Sequence, residues 1–229
     1  MRSVAMFPLG AVLFPHMPIT LRVFEERYLA MLGRMLEGES PEFGVVLIER
    51  GAEVGGGDQR FGIGTMARLV ELGSGDGTIA IAARGGLRFE VLEWLQEDPY
   101  PMAVVRDLPE LAWEAACAAL RDEAERAVRG VLARAGEFVE LPWSADIVLD
   151  EDPVAASWQL AGIAPVGALD QVRLLGATSV RDLLEGVIAA VREVEPTLTA
   201  PPPTGEADIE LAELLGDADE DEDGAAGGA

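Results

Sequence analysis

The sequence contains no lysine, because all 17 of its basic residues are arginine. A Walker A loop needs a lysine that reaches the β- and γ-phosphates, so this common route to nucleotide hydrolysis is excluded. A serine–lysine catalytic dyad and a Schiff-base lysine are excluded for the same reason. The absence of lysine therefore removes three kinds of enzyme chemistry.

Cysteine and histidine each occur once, as Cys117 and His16. A single cysteine cannot form an intramolecular disulfide, which favours a reducing, cytoplasmic location. The two residues are also too few for a zinc site of the usual Cys/His type, and we predict neither a metal nor a cofactor. We expect Cys117 to be a small core residue and His16 to be a solvated turn residue with no nucleophile beside it.

Long apolar runs are missing as well. The run over residues 4–14 is interrupted by Pro8 and ends at Pro15, and no small-residue cleavage pattern follows it. No window approaches the ~18 apolar residues that a membrane-spanning helix needs. We therefore expect neither a signal peptide nor a membrane span.

Acidic residues outnumber basic ones by 41 to 17, which gives a formal net charge of −24. Nucleic acids and anionic membranes attract proteins through cations, so we expect neither as a partner. Residues 206–229 carry ten of the acids and no arginine, and the rest of the chain still has 31 acids against 17 arginines. We predict that 197–229 is a proline-rich linker with a disordered acidic tail, which either solubilises the protein or docks a partner.

The letters of a dinucleotide-binding motif, G-x-G-x-x-A, occur over residues 62–67. This motif binds a cofactor only where it follows a strand and opens a helix, with an acidic residue about 20 positions further on. Here it runs into an apolar segment that ends at a glycine-rich turn, and Arg84 and Gly85 stand where the acidic residue should be. The motif therefore does not indicate a cofactor site.

Residues 1–108 have the pattern of a β-rich unit. Short apolar segments separated by glycine and proline predict six or seven strands, and one segment with helical spacing predicts a helix over 25–37. Two short extended pieces cover 4–9 and 12–14, and the strands that follow cover 19–23, 44–49, 65–72, 78–83, 87–95 and 100–108, with glycine-rich turns over 51–58 and 73–77. This pattern favours a compact, partly closed barrel with one embedded helix over alternating βαβ units.

Residues 109–196 change to helical spacing. A long helix follows Glu110, with Cys117, Val128 and Val131 on its buried stripe, and shorter helices are predicted over 153–161, 166–175 and 180–194. Ser179 is placed to cap the last helix, with Asp182 three residues further on. The sequence thus predicts an α+β protein in which a β unit is followed by a helical bundle.

Five segments of the β unit resemble the substrate-binding domain at the N-terminus of Lon proteases, in the right order and spacing. They are FPLGAVLFPHMPITLRVFEERY (7–28), FGVVLIE (43–49), GIGTMARLVEL (62–72), GLRFEVLE (86–93) and PYPMAVV (99–105), and 152–188 is similar to the closing region of the family. The resemblance implies a PUA-like pseudo-β-barrel over 1–108. Because no ATPase or peptidase segment follows, it implies a stand-alone form that is not an enzyme.

Three sets of side chains have expected roles within this resemblance. We expect Phe24, Tyr28 and Leu32 to hold the embedded helix on the barrel. Arg27 and Arg88 lie beside apolar residues, and we expect them to bind carbonyl oxygens or to pair with Glu25 or Glu26 rather than to contact a ligand. For peptide binding, the candidates are Met17, Trp94, Tyr100 and Trp143, whose alternative role is to fill the core between the two units.

The function implied by the resemblance is recognition of apolar or misfolded polypeptide segments, as an adaptor or regulator of an ATP-dependent protease. One alternative is a scaffold for one folded protein partner. A second is RNA binding through a PUA-like fold, which the acidity disfavours. The sequence leaves the partner, the binding face and the oligomeric state open.

Overall fold

The computed structural model of the protein describes residues 1–38, 41–49, 59–75 and 78–199. Its strands are β1 (Arg2–Leu9), β2 (Pro18–Val23), β3 (Glu42–Glu49), β4 (Gln59–Gly75), β5 (Thr78–Trp94) and β6 (Met102–Asp107). Its helices are α1 (Glu26–Glu37), α2 (Ala118–Ala135), α3 (Pro153–Ile163), α4 (Ala168–Leu175) and α5 (Val180–Leu198). The predicted α+β composition is confirmed. The predicted loop over 51–58, most of the predicted linker and tail, and the last two residues of the predicted turn over 73–77 lie outside the described residues.

The six strands form one sheet in the order β2-β5-β4-β3-β1-β6, and a further pairing between β5 and β6 closes a ring of five strands. The closure is possible because β5 is long enough to serve two partners on one edge. Residues 79–84 of β5 pair with β2, and residues 89–94 pair with β6. Only the β1–β3 pair is parallel, and the other pairs are antiparallel.

Three irregularities of the sheet each contain an exposed apolar residue. Between the pairs Thr65–Arg88 and Ala67–Gly85, strand β5 has one residue more than β4, and Leu87 lies in this bulge. Val70 is the extra residue of a second bulge, in β4, and Leu92 is that of a third, in β5. A bulge interrupts the alternation of side chains between the two faces of a sheet. This interruption turns Leu87 outward and leaves Arg88 buried.

The interior of the ring is filled by a small apolar group, called here the barrel cluster. It consists of Val4, Met6, Val46, Met66, Phe89, Ala103 and Val105. Gly44 and Gly64 make room for the ring of Phe89, because a Cβ atom at Gly44 would lie 2.9 Å from its Cζ and one at Gly64 2.6 Å. A side chain at Gly64 would also collide with the carbonyl oxygen of Val45. Glycine is therefore required there by the close approach of β3 and β4.

The opposite face of the sheet packs against the helices in a second apolar group, the main core. The strands contribute Phe7, Phe43 and Ile81, among others, and every α-helix contributes at least one buried residue. In α5 the predicted stripe is buried: Val180, Leu183, Leu184, Val187 and Val191. Helix α5 contacts α2, α3 and α4. Because both halves of the chain share this core, they pack as one body.

The embedded helix α1 is held by part of the predicted set. The ring of Tyr28 stacks on that of Phe7 with centroids 4.1 Å apart, and Leu32 is buried. Phe24 was predicted to join them, and this prediction is wrong, because its side chain is 67% exposed. The reason is that α1 begins at Glu26, so Phe24 lies before the helix and its four-residue spacing to Tyr28 does not place the two on one helix face.

Other boundaries also differ from the sequence predictions. Residues 12–14 belong to no strand, and Leu13 and Phe14 are instead buried in a loop that packs on β5. The strands predicted over 78–83 and 87–95 are one strand, β5, which continues through Gly85 and the bulge. Helix α2 begins only at Ala118, after a short 3₁₀ turn at Ala115–Cys117, because the chain first crosses from the sheet to the helices.

Candidate functional site

A concave surface of about 460 Å³ lies where the sheet meets the helices, and we call it the junction groove. Four separated parts of the chain form it: the turn after β1, the bulge of β5, the segment between β6 and α2, and the start of α3. Its lining residues are Pro15, His16, Gly86, Leu87, Arg88, Leu108, Pro109, Glu110, Leu111, Asp152, Val154 and Trp158. Its volume lies within the range of roughly 300–1,000 Å³ that is typical of ligand-binding clefts.

The first wall is a turn that the backbone holds tightly against β5. The amide of His16 donates to the carbonyl of Gly85 (2.8 Å), and the amide of Gly85 donates to the carbonyl of Met17 (2.9 Å). His16 has φ of 63°, a left-handed conformation that is uncommon for a residue with a side chain. A side chain at Gly85 would collide with the carbonyl of Phe14. The turn is therefore fixed by hydrogen bonds and by the absence of a side chain at Gly85.

Arg88 forms the floor of the groove and connects three parts of the chain. Its Nη1 donates to the carbonyls of Leu175 and Ala177, both at 2.7 Å, and its Nη2 donates to the carbonyl of Pro109 at 3.0 Å. Burial lowers the pKa of Arg88 from its ordinary value, since the charged form loses solvation. The expected role of Arg88, binding carbonyl oxygens inside the fold, is confirmed.

Trp158 of α3 packs between two neighbours beneath the groove. The guanidinium of Arg88 lies 4.8 Å from the centroid of its ring, and the ring of Phe14 lies 6.1 Å away at an angle of 36°. Trp158 is 3% exposed, so it supports the groove more than it offers surface. The accessible apolar surface comes from Leu87, which is 40% exposed, from the exposed Pro109 and from the half-buried Val154.

Two carboxylates lie at the edge of the groove. Asp152 caps α3, because its Oδ1 accepts hydrogen bonds from the amides of Val154 (3.0 Å) and Ala155 (2.8 Å). Glu110 is exposed, and within the described ranges its side chain has neither an ion pair nor a hydrogen bond. The rim of the groove therefore carries negative charge, while its one arginine is occupied by carbonyl groups.

The four residues predicted to bind peptides do not line this groove. Met17 is buried behind it, against α3, where a Cβ atom at Gly162 would lie 2.6 Å from its Cγ. Tyr100 is buried beside Arg34, Trp143 packs half-buried against the main core, and Trp94 packs against the barrel cluster beneath Arg60. These positions leave a direct role of the four residues in peptide binding as a prediction.

The described residues contain no candidate metal centre. Among them, no three or more His, Cys, Asp or Glu side chains are grouped so that they could hold a metal ion. The expectation for Cys117 is confirmed, since it is buried in the main core. Gly62 and Gly64, the first residues of the dinucleotide-like motif, lie inside β4 rather than at the start of a helix. His16 is half-buried in the groove wall rather than solvated.

Arg27 is the second arginine with a predicted role, and it forms an ion pair in the structure. Arg27 pairs with Glu25 at 2.9 Å, as predicted, and its guanidinium lies 4.7 Å from the ring centroid of Tyr28. Burial raises the pKa of the Tyr28 hydroxyl, against the opposing effect of Arg27.

Across the ranges that the structure describes, no helix combines the length and the apolar character needed to cross a membrane.

Comparison with known proteins identifies the fold. A crystal structure titled Lon N-terminal domain protein from Xanthomonas campestris is similar, with a TM-score of 0.61 and 24% identity over 82% of this chain and 98% of that chain. The N-terminal domain of Mycobacterium avium complex Lon protease is similar with a TM-score of 0.60 and 18% identity, over 84% of this chain and 99% of that chain. At these identities the two likenesses show the fold alone.

Comparison at the level of sequence identifies the family. A search of the curated proteins found no match. The family described as ATP-dependent protease La (LON) substrate-binding domain matches residues 3–193, which is most of the chain. The match includes the described strands, except Arg2 of β1, and the five described helices, except the last residues of α5. The chain therefore belongs to the family of the substrate-binding domain of ATP-dependent protease La (LON).

Proposed function

We propose that this protein binds polypeptides without acting on them chemically, and that it holds exposed apolar segments in the junction groove. The observation that carries the proposal is the family match over residues 3–193, since the family is described as a substrate-binding domain. The groove supports it by offering accessible apolar surface at Leu87, Pro109 and Val154 over a rigid floor. The proposed role is that of an adaptor or regulator of a separate ATP-dependent protease, in the cytoplasm.

The size of the groove sets the expected strength of binding. Burial of apolar surface contributes roughly 25 cal/mol per Å². Association costs at least about 4 kcal/mol in lost motion. A cleft of about 460 Å³ covers only a few side chains of a client, so we expect micromolar or weaker affinity for many different segments. Weak, broad binding is suited to a protein that samples unfolded chains.

The architecture that we propose for the family resemblance has two parts. The closed ring of strands with α1 packed on it supports a PUA-like barrel. The contacts of α5 with α2, α3 and α4 support a helical bundle. A bundle packed on the barrel accounts for the position of the groove, because the groove lies along their line of contact.

The experiment that tests the proposed function is a titration of the protein into a fluorescently labelled, unstructured peptide with an apolar centre. The test variant is Leu87→Ser, which removes exposed apolar surface from the groove. The matched control is Leu92→Ser, on the same strand, since both leucines lie in bulges of β5 and are 40% and 42% exposed. We expect Leu87→Ser to weaken binding at least about fivefold and Leu92→Ser to leave it unchanged.

Two results would count against this proposal. If the unmodified protein binds no apolar peptide, polypeptide recognition fails as a function. If Leu92→Ser weakens binding as much as Leu87→Ser does, the groove is not the site. A third titration with Trp94→Ala and Trp143→Ala tests whether the residues predicted from the sequence contribute.

A further inference from the structure

We infer that the junction groove selects apolar segments that are flanked by basic residues. This inference rests on the proposed function and specifies the class of client. It depends on the charges around the groove, because the anions there are accessible and the cation is not.

The accessible anions are Glu110 and Asp152. Glu110 is exposed, and among the described residues no side chain or amide satisfies its carboxylate. Asp152 is exposed, and its capping hydrogen bonds use Oδ1, while Oδ2 has no hydrogen bond among the described residues. Glu151, next to Asp152, is exposed as well. A client that inserts an apolar side chain beside Leu87 therefore brings its flanking residues close to free carboxylates.

The cation of the groove is unavailable to a client. Arg88 is 6% exposed, and its guanidinium already donates to the carbonyls of Leu175, Ala177 and Pro109. The nearby Arg84 lies 3.6 Å from Asp150, so its charge is partly offset. An acidic client would meet the rim carboxylates, and the three arginines of the neighbouring depression that shares Leu87 are already paired with carboxylates. The chain as a whole has a net charge of −24, which adds a long-range attraction for basic clients.

A second depression of the surface has the opposite charge, which distinguishes the groove from it. It lies between the end of β1 and the start of α1, has a volume of about 310 Å³, and is lined by Arg22, Arg27 and Arg60 among others. Arg22 is exposed and forms no ion pair within the described part of the chain. A preference for basic flanks therefore points to the junction groove rather than to this depression.

The test uses three labelled peptides with the same apolar centre, flanked by two arginines, two serines or two glutamates. In ~0.05 M salt we expect the arginine-flanked peptide to bind about five times more tightly than the serine-flanked one, because two exposed ion pairs contribute a factor of this order. We expect the glutamate-flanked peptide to bind most weakly. At ~0.5 M salt the differences should nearly disappear, since salt screens exposed charges.

The assignment to the rim carboxylates is tested with Glu110→Gln combined with Asp152→Asn. Asparagine retains the ability to cap α3, so the fold should be preserved, and Glu110→Gln alone provides a second, purely surface variant. The matched control is Glu137→Gln combined with Glu140→Gln, two exposed acids beyond α2 whose loss changes the net charge equally. We expect the preference for arginine flanks to fall below about twofold in the first pair and to be retained in the control.

The outcomes separate this inference from the proposed function. If all three peptides bind equally and Leu87→Ser still weakens them, the groove binds polypeptides and the charge selection is wrong. If the control pair reduces the preference as much as the rim pair, the selection comes from net charge and not from the groove. If no peptide binds, both the function and the inference fail.

Discussion

Arg88 and Phe89 are neighbours on β5, and they stabilise two different parts of the molecule. Phe89 is fully buried among apolar residues inside the ring of strands, where glycines leave room for its ring. Arg88 lies on the other face and donates three hydrogen bonds, one to Pro109 between β6 and α2 and two to Leu175 and Ala177 at the end of α4. The ring is thus closed by packing, while the two halves of the chain are connected by a polar side chain as well as by a shared core.

The largest effect on stability is expected from a change at Phe89, inside the ring of strands. Phe89→Ala removes a fully buried ring, and the glycines at 44 and 64 offer no side chains to fill the space, so we expect a loss of about 3–5 kcal/mol in the free energy of unfolding. Urea denaturation measures it, with Phe89→Leu as the milder control. Peptide affinity of the folded fraction should be unchanged. A loss below about 1 kcal/mol would mean that the barrel cluster does not hold the ring together.

The contribution of the Arg88 hydrogen bonds to stability is tested with Arg88→Met. It keeps most of the apolar volume but leaves three carbonyls without their donor, and we expect a loss of about 2–3 kcal/mol, reduced by the removal of a buried charge. Peptide binding should weaken too, because the floor of the groove loses its connections. Arg106→Met, an exposed arginine that pairs with Glu90, is the control and should change stability by less than about 0.5 kcal/mol. Equal effects of the two variants would contradict the role of Arg88.

The smallest expected effect concerns Gly162 and Met17, where α3 packs against the turn. In the normal protein, Gly162→Ala gains about 1 kcal/mol of helix propensity but places Cβ 2.6 Å from Cγ of Met17, so we expect a net loss of about 1 kcal/mol. In the Met17→Ala background the same change should stabilise by about 0.5–1 kcal/mol. Denaturation of the unmodified protein, the two single variants and the double variant gives the coupling free energy between the two positions. If Gly162→Ala changes the free energy of unfolding in the same direction in both backgrounds, the contact between the turn and α3 is loose.

The sequence alone predicted most elements of the fold and the inward role of Arg88, because these depend on local patterns. Alternation, glycine turns and the stripe of α5 are properties of short segments. The errors arose at the exact start of a helix and where an interaction between distant residues decides the outcome. Phe24 has helical spacing to Tyr28 but lies outside α1, and residues 12–14 are extended in pattern but pack as a loop on Gly85.

The groove could not be predicted in the same way. Its residues come from four segments that only the closed sheet brings together, and the exposure of Leu87 depends on one extra residue in β5. Simple alternation from Phe89 would have turned Leu87 inward. Trp158 was visible as one of four tryptophans, yet nothing in its neighbourhood along the chain distinguishes it from Trp94 or Trp143. Register is a property of the paired strands, so a single strand carries no sign of it.

The position of β1 has a consequence for how the protein is made. Its partners are β3, about 40 residues later, and β6, about 100 residues later, so Arg2 finds Val105 only after β6 has been synthesised. Until then, β1 has an unpaired edge and exposed apolar side chains, and contacts between such distant residues form slowly. A nascent chain of this protein is therefore itself an unfolded polypeptide with exposed apolar segments, the kind of molecule that its finished groove is proposed to bind.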